Sequence, residues 1–184
     1  VLSKDWFFAV TSLMQLDLHG NRYQRLDVQA LSNMVALASL NLSNNQLSDL
    51  PFDFFYQFPR LTNIDLSMNL FSKAPLAFAS AEHLIVLSFS HNYIDRLETS
   101  FFQGIPNIEV LDIRYNQLSD LPAFSLPKIR DLRLDQNFNL SFMAPADLCQ
   151  EKKISYKQTL VFCEKKNSGS GNQTLAHLPS VLNR

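Results

Sequence analysis

Between Leu13 and Asn137 one arrangement of apolar and polar positions recurs six times. Two aliphatics three apart are followed by a third apolar residue after one intervening position, and an Asn closes the unit. The sets are Leu13/Leu16/Leu18/Asn21, Leu37/Leu40/Leu42/Asn45, Leu61/Ile64/Leu66/Asn69, Leu84/Leu87/Phe89/Asn92, Ile108/Leu111/Ile113/Asn116 and Ile129/Leu132/Leu134/Asn137. Pairs such as Leu16/Leu18 alternate with period two over too few residues for a helix. Each therefore predicts a short strand whose aliphatics point inward while the residue between them faces out. The steps between successive Asn are 24, 24, 23, 24 and 21 residues, a period that predicts a stacked solenoid rather than a closed globule. The seven residues NQLSDLP even occur twice, at Asn45–Pro51 and Asn116–Pro122. Parallel strands joined by right-handed crossovers would stack into one sheet curved about a concave face.

The Asn falls where the strand ends and the backbone turns inward, away from water. Its side-chain amide can serve both the donors and the acceptors stranded there. Each second half carries its own apolar set: Leu47, Leu50, Pro51, Phe55 and Phe58 in one repeat, Leu118, Leu121 and Pro122 in another, and Ile94, Leu97, Phe102 and Ile105 without the Pro. Leu2, Phe7, Val10 and Leu13 match Leu50, Phe55, Phe58 and Leu61 offset for offset, so the pattern reaches the first residues. The Phe positions predict an aromatic spine filling the convex side. One repeat cannot bury its own apolar face. Each neighbour must therefore offer the same inward shape, which accounts for the duplicated heptad as an interchangeable structural part.

These motifs resemble those of the leucine-rich-repeat family, in its 24-residue "typical" subclass common in receptor ectodomains and small matrix proteoglycans. The resemblance covers roughly residues 2–140. It implies an α/β solenoid, a right-handed coil with a parallel concave sheet and a largely irregular convex side. It further implies an asparagine ladder, no cofactor, no enzymatic role, and recognition of another protein or peptide on the concave face.

On this reading residues 1–140 hold about six repeats and a partial N-terminal one, 141–163 a C-terminal cap, and 164–184 a linker or tail. The chain begins partway through a repeat, and no Cys precedes residue 149 to form the N-terminal cap usual in extracellular members. Truncation of a longer protein is the expectation, against a natural start with DWFFAV folded across the end. An uncovered edge would invite self-association. Cys149 and Cys163 both fall in the cap segment. In an oxidising compartment a bridge between them would contribute roughly 3 kcal/mol, and in a reducing one they would be two buried thiols. Their spacing differs from the family's usual C-terminal cap. The tail contains SGSG, natural or an engineered joint.

The 184 residues carry a net charge of −1 with no block of like charges, which removes the electrostatic source of nucleic-acid binding. No apolar run reaches the 18 or more residues of a membrane span. G-x-S-x-G, H-E-x-x-H, a phosphate-binding Gly loop and clustered metal ligands are all missing from the sequence. Ser90, His91 and Asp112 lie close on adjacent strands. An open sheet, however, lacks the pocket and oxyanion donors that acyl transfer requires.

The outward strand rows define the candidate site. Between the inward aliphatics come Asp17, Asn41, Asp65, Ser88, Asp112 and Arg133. Two positions on come His19, Ser43, Ser67, Ser90, Arg114 and Asp135, and then Gly20, Asn44, Met68, His91, Tyr115 and Gln136. Tyr, Met and Arg anchor protein interfaces, so the expected contacts are Asp65, Ser67, Met68, His91, Tyr93, Asp112, Arg114, Tyr115, Arg133 and Asp135. N-x-S/T sequons occur at Asn41, Asn139 and Asn172, little above the roughly two that this composition yields by chance. A glycan on Asn41 would shift binding toward the repeats around Ser90–Arg133. The receptor resemblance implies an extracellular or cell-surface setting. The alternatives are a cytoplasmic adaptor or pathogen effector of the same fold, and a structural or engineered scaffold.

Overall fold

The structure, a computed structural model, describes residues 10–144 and the strand segments 154–155, 160–163 and 176–177. Six three-residue strands recur as the period requires: β1 (Gln15–Asp17), β2 (Ser39–Asn41), β3 (Asn63–Asp65), β4 (Val86–Ser88), β5 (Val110–Asp112) and β6 (Asp131–Arg133). They pair in parallel and in sequence order, with Leu16, Leu40, Ile64, Leu87, Leu111 and Leu132 in one register row. β7 (Ser141–Ala144), β8 (Ile154–Ser155), β9 (Leu160–Cys163) and β10 (Ala176–His177) follow. β8 adds a seventh strand beside β6, while β10, β9 and β7 form a second sheet. The repeats thus build the expected α/β solenoid with its parallel concave sheet.

Opposite the sheet the chain takes short helical turns: 3-10 turns at Val28–Leu31 and Leu76–Ser80, α1 (Phe54–Gln57) and α2 (Thr99–Gly104). Repeats of 23–24 residues leave too few positions after the strand and its turn for longer helices. Between the two layers lies one continuous core of the repeated aliphatics, with Leu42, Leu66, Ile113 and Leu134 fully buried.

The aromatic spine is present and is broader than the convex stack expected. Phe55, Phe78 and Phe101 pass it from repeat to repeat at ring separations of 4.9 and 5.5 Å. Phe71 and Phe89 join it from the sheet side, Phe89 standing where other strands place an aliphatic. Phe102 carries it on to Phe124, stacked at 4.5 Å.

The asparagine ladder forms in register. Asn69 shows the pattern: Nδ2 donates to the carbonyls of Leu42, Leu66 and Ser67, and Oδ1 accepts from the amide of Leu47. Asn45, Asn92, Asn116 and Asn137 are likewise buried, and each bonds both to its own turn and to the preceding repeat. Asn21, on the first rung, is exposed and reaches only its own turn, at Leu18 and His19. Among the described residues no buried side-chain nitrogen or oxygen lacks a partner, as burial of polar groups demands.

Candidate recognition surface

Strand register carries Asp17, Asn41, Asp65, Ser88, Asp112 and Arg133 into a single row across the outward face. Adjacent members stand about 4.8 Å apart, the spacing of paired strands. Four of them also serve the backbone. Asp17, Asn41, Asp65 and Asp112 each accept the amide two residues ahead through Oδ1, at 2.9–3.1 Å. These short side chains close the strand as Asx turns do.

The row before each ladder Asn behaves in a way sequence inspection did not anticipate. Gly20, Asn44, Met68, His91, Tyr115 and Gln136 all adopt positive φ, between 54° and 67°. This left-handed turn lets each amide from Gly20 to Tyr115 reach a carbonyl on the next repeat, as Met68 does at Ser90. The Gly and Asn at its first two places were the available signal, since those residues take the conformation at least cost. Met68, His91 and Tyr115 are held there by the ladder on either side.

Held in this way, the His91 and Tyr115 rings stack nearly parallel, 4.1 Å apart at 11°. Tyr93 is also exposed, and so are Leu70 and Phe138, one residue past Asn69 and Asn137 as Tyr93 is past Asn92. With Met68 these side chains form an apolar and aromatic border along the sheet. Leu70 and Phe138 were missed in the sequence because they sit outside the strand rows. Their shared offset from the ladder Asn would have found them.

Toward the C-terminal end the face is a lattice of charges. Arg114 clasps Asp112 with Nη2 2.6 Å from Oδ2, and its Nε donates to both carboxylate oxygens. Arg133 donates through Nε to Asp131 at 2.8 Å and places Nη1 3.6 Å from Asp112. Hydrogen bonding to Asp112 and to Asp131 respectively pushes both guanidinium pKa values up. The carboxylate of Asp112 is nearly buried, so these arginines neutralise it while their own outer edges stay accessible.

Ser90, His91 and Asp112 form no relay. The Ser90 hydroxyl lies 3.4 Å from that of Ser88, the His91 ring lies on Tyr115, and Asp112 is committed to Arg114. Of the sequons, Asn41 holds the backbone amide and hydroxyl of Ser43 through Oδ1, which leaves Nδ2 for other use. Asn139 is exposed, while Asn172 and Cys149 lie outside the described residues, as does the side chain of Cys163. Among the described residues no group of three metal-ligating side chains occurs, and no helix is long and apolar enough to cross a membrane.

The family profile described as Leucine rich repeat matches residues 1–47, 11–71, 59–118 and 82–138, spanning most of the chain. The chain belongs to this family. A curated relative, the probable serine/threonine-protein kinase roco9 of Dictyostelium discoideum, is 36% identical over 69 residues, which are 38% of this chain and 2% of that one. Among solved structures, a leucine-rich repeat protein from Bacteroides thetaiotaomicron superposes with a TM-score of 0.76 at 20% identity. The match covers 86% of this chain and 21% of the other. The APL1 leucine-rich repeat domain gives 0.71 at 18%, over 88% of this chain and 42% of that domain. The Drosophila Toll–Spatzle complex gives 0.64 at 19%, over 89% of this chain and 26% of that one. The chain therefore spans less than half the length of each of these relatives, and the structural likenesses concern the fold.

Proposed function

We propose that this chain is a non-enzymatic recognition module that binds another protein or peptide across the concave sheet, within a secreted or cell-surface receptor-like protein. One observation carries the reading. The exposed border of Met68, Leu70, His91, Tyr93, Tyr115 and Phe138 runs beside a polar strand face whose arginines are held in place by Asp112 and Asp131. Interfaces combine rigid aromatic anchors with a hydrogen-bonding surround in this way, and pre-ordered side chains lose little entropy on binding. Asp65, Ser67, Arg114 and Arg133 supply the polar part, whereas Asp135, expected among the contacts, is buried. The leucine-rich-repeat fold and the likeness to the Toll and APL1 structures support the receptor-like setting.

Tyr93→Ser together with Tyr115→Asn removes both rings, and Asn tolerates the left-handed backbone at 115. The immobilised full chain, crosslinked to extract from its source cells, should lose at least tenfold of its captured protein in the double variant while its melting curve is retained. Equal capture by the folded variant would reject this surface.

A second reading, a cytoplasmic adaptor module of a larger signalling protein, draws on the 69-residue likeness to roco9. Thiol labelling of the denatured, unreduced chain separates the two. A bridge between Cys149 and Cys163 favours the outside, and two labelled thiols favour the inside.

A further inference from the structure

Opposite the sheet, the third repeat is thinner than its neighbours. Five residues after the ladder Asn, Leu50, Leu97 and Leu121 are buried, whereas this repeat carries the half-buried Ala74. The second and fourth repeats each set two adjacent Phe into the convex layer, Phe54–Phe55 and Phe101–Phe102. The third has Phe78 alone, between Ala77 and Ala79. A recess of about 530 Å³ lies between the third and fourth repeats, beside the omitted side chains. Ala74, Ala79 and Leu76 line one wall, with Phe101 on the other. Leu76 stands on the rim 81% exposed, although it is aliphatic.

We propose that this recess is a docking site for one large apolar side chain of a partner polypeptide, flanked on that partner by an acidic and a basic residue. The third repeat omits a leucine stem and an aromatic ring, so the wall they would cover, Ala74 and Ala79 facing Phe101, is open to an apolar side chain from outside. Charge on the rim sets the flanks. Arg96 is paired with Asp95, whereas Lys73 on the third-repeat wall and Glu98 on the fourth-repeat wall make no ion pair among the described residues. A carboxylate therefore suits the Lys73 side and a cationic group the Glu98 side. The site faces away from the strand rows, so it stands independently of the concave-face reading.

The test uses the full chain, 15N-labelled, titrated with acetylated and amidated pentapeptides having Leu or Phe at the centre, Asp and Lys at the two ends in either order, and Gly between. Amide resonances of Leu76, Ala79 and Phe101 should shift and saturate, with the matching Ser-centred peptides at least tenfold weaker. Ala74→Leu restores the residue the other repeats carry and covers the apolar wall at Ala74. It should weaken binding at least tenfold while the melting temperature holds or rises. Leu76→Ser, at an exposed position, should weaken binding severalfold with no change in melting. Shifts absent at millimolar peptide, or unchanged in both variants, overturn the proposal. So does concentration-dependent shifting of these amides without peptide, which would make a second copy the occupant.

Discussion

Gly104 in α2 lies directly against the carbonyl of Phe78, so that a Cβ at residue 104 would stand 1.9 Å from that oxygen and 2.7 Å from the Cα of Ala79. Both obstacles are backbone, which cannot swing aside. Gly104→Ala should therefore destabilise the chain by about 3 kcal/mol or more, at the upper end of overpacking costs. Urea denaturation would measure it, and a loss under about 1 kcal/mol would show that the repeats can slide apart cheaply.

Burial grades the rungs of the ladder. Asn92→Ala strands the amide of Phe71 without solvent and takes one of two amide donors from the carbonyls of Leu66 and Phe89, which keep Asn69 and Asn116. The expected cost is about 2 kcal/mol, within the roughly 1–3 of one orphaned buried amide. Asn21→Ala exposes its turn to water that is already there, so it should cost less than about 1 kcal/mol. Equal losses in the two variants would contradict the ladder's dependence on a neighbour at each side.

Met68 holds φ at 54° with its side chain half in water. A non-glycine residue pays about 1–2 kcal/mol for that backbone, and glycine pays part of this back as unfolded-state entropy. Met68→Gly should accordingly stabilise the fold by about 0.5–1 kcal/mol. A lower denaturation midpoint would mean that the side chain packs more usefully than its exposure indicates. The same variant should weaken partner capture, because it removes an apolar group from the border.

Acid should act on the first strand. Asp17 accepts the backbone amide of His19 at 2.9 Å and lies 3.0 Å from the His19 ring nitrogen, and these bonds, the backbone one foremost, hold its carboxyl below the usual range. Its folded pKa is depressed, so its contribution is complete above the unfolded value of about 3.9 and is lost as pH falls through the folded value. Asp17→Asn keeps the accepting oxygen and removes the charge. The difference in melting temperature between wild type and variant should shrink between about pH 5 and pH 2, and a constant difference would exclude this linkage.

The inward rows were legible because a strand's alternation and a fixed period are properties of the sequence itself. Leu40, Ile64, Leu87 and Leu111 sit in one register as their spacing demanded, and the six Asn fall where the strands end. The polar face was legible only as a set of positions. Nothing in the residue types announced that Asp112 would be clasped by Arg114 and approached by Arg133, because the latter contact joins different repeats. Phe78 escaped the expected spine position because the third repeat is one residue shorter and shifts its aromatic by one place.

By itself, then, the sequence determined the architecture. A 23–24-residue recurrence of aliphatics and Asn admits one economical burial scheme, in which each unit completes its neighbours. The tertiary structure alone decided the left-handed turns at Met68, His91 and Tyr115, the stacking of His91 on Tyr115, the approach of Arg133 to Asp112 and the recess between the third and fourth repeats. Each of these depends on the backbone or side chain that the adjacent repeat presents a few ångströms away. In sequence that partner is about two dozen residues distant, where no local pattern can report it.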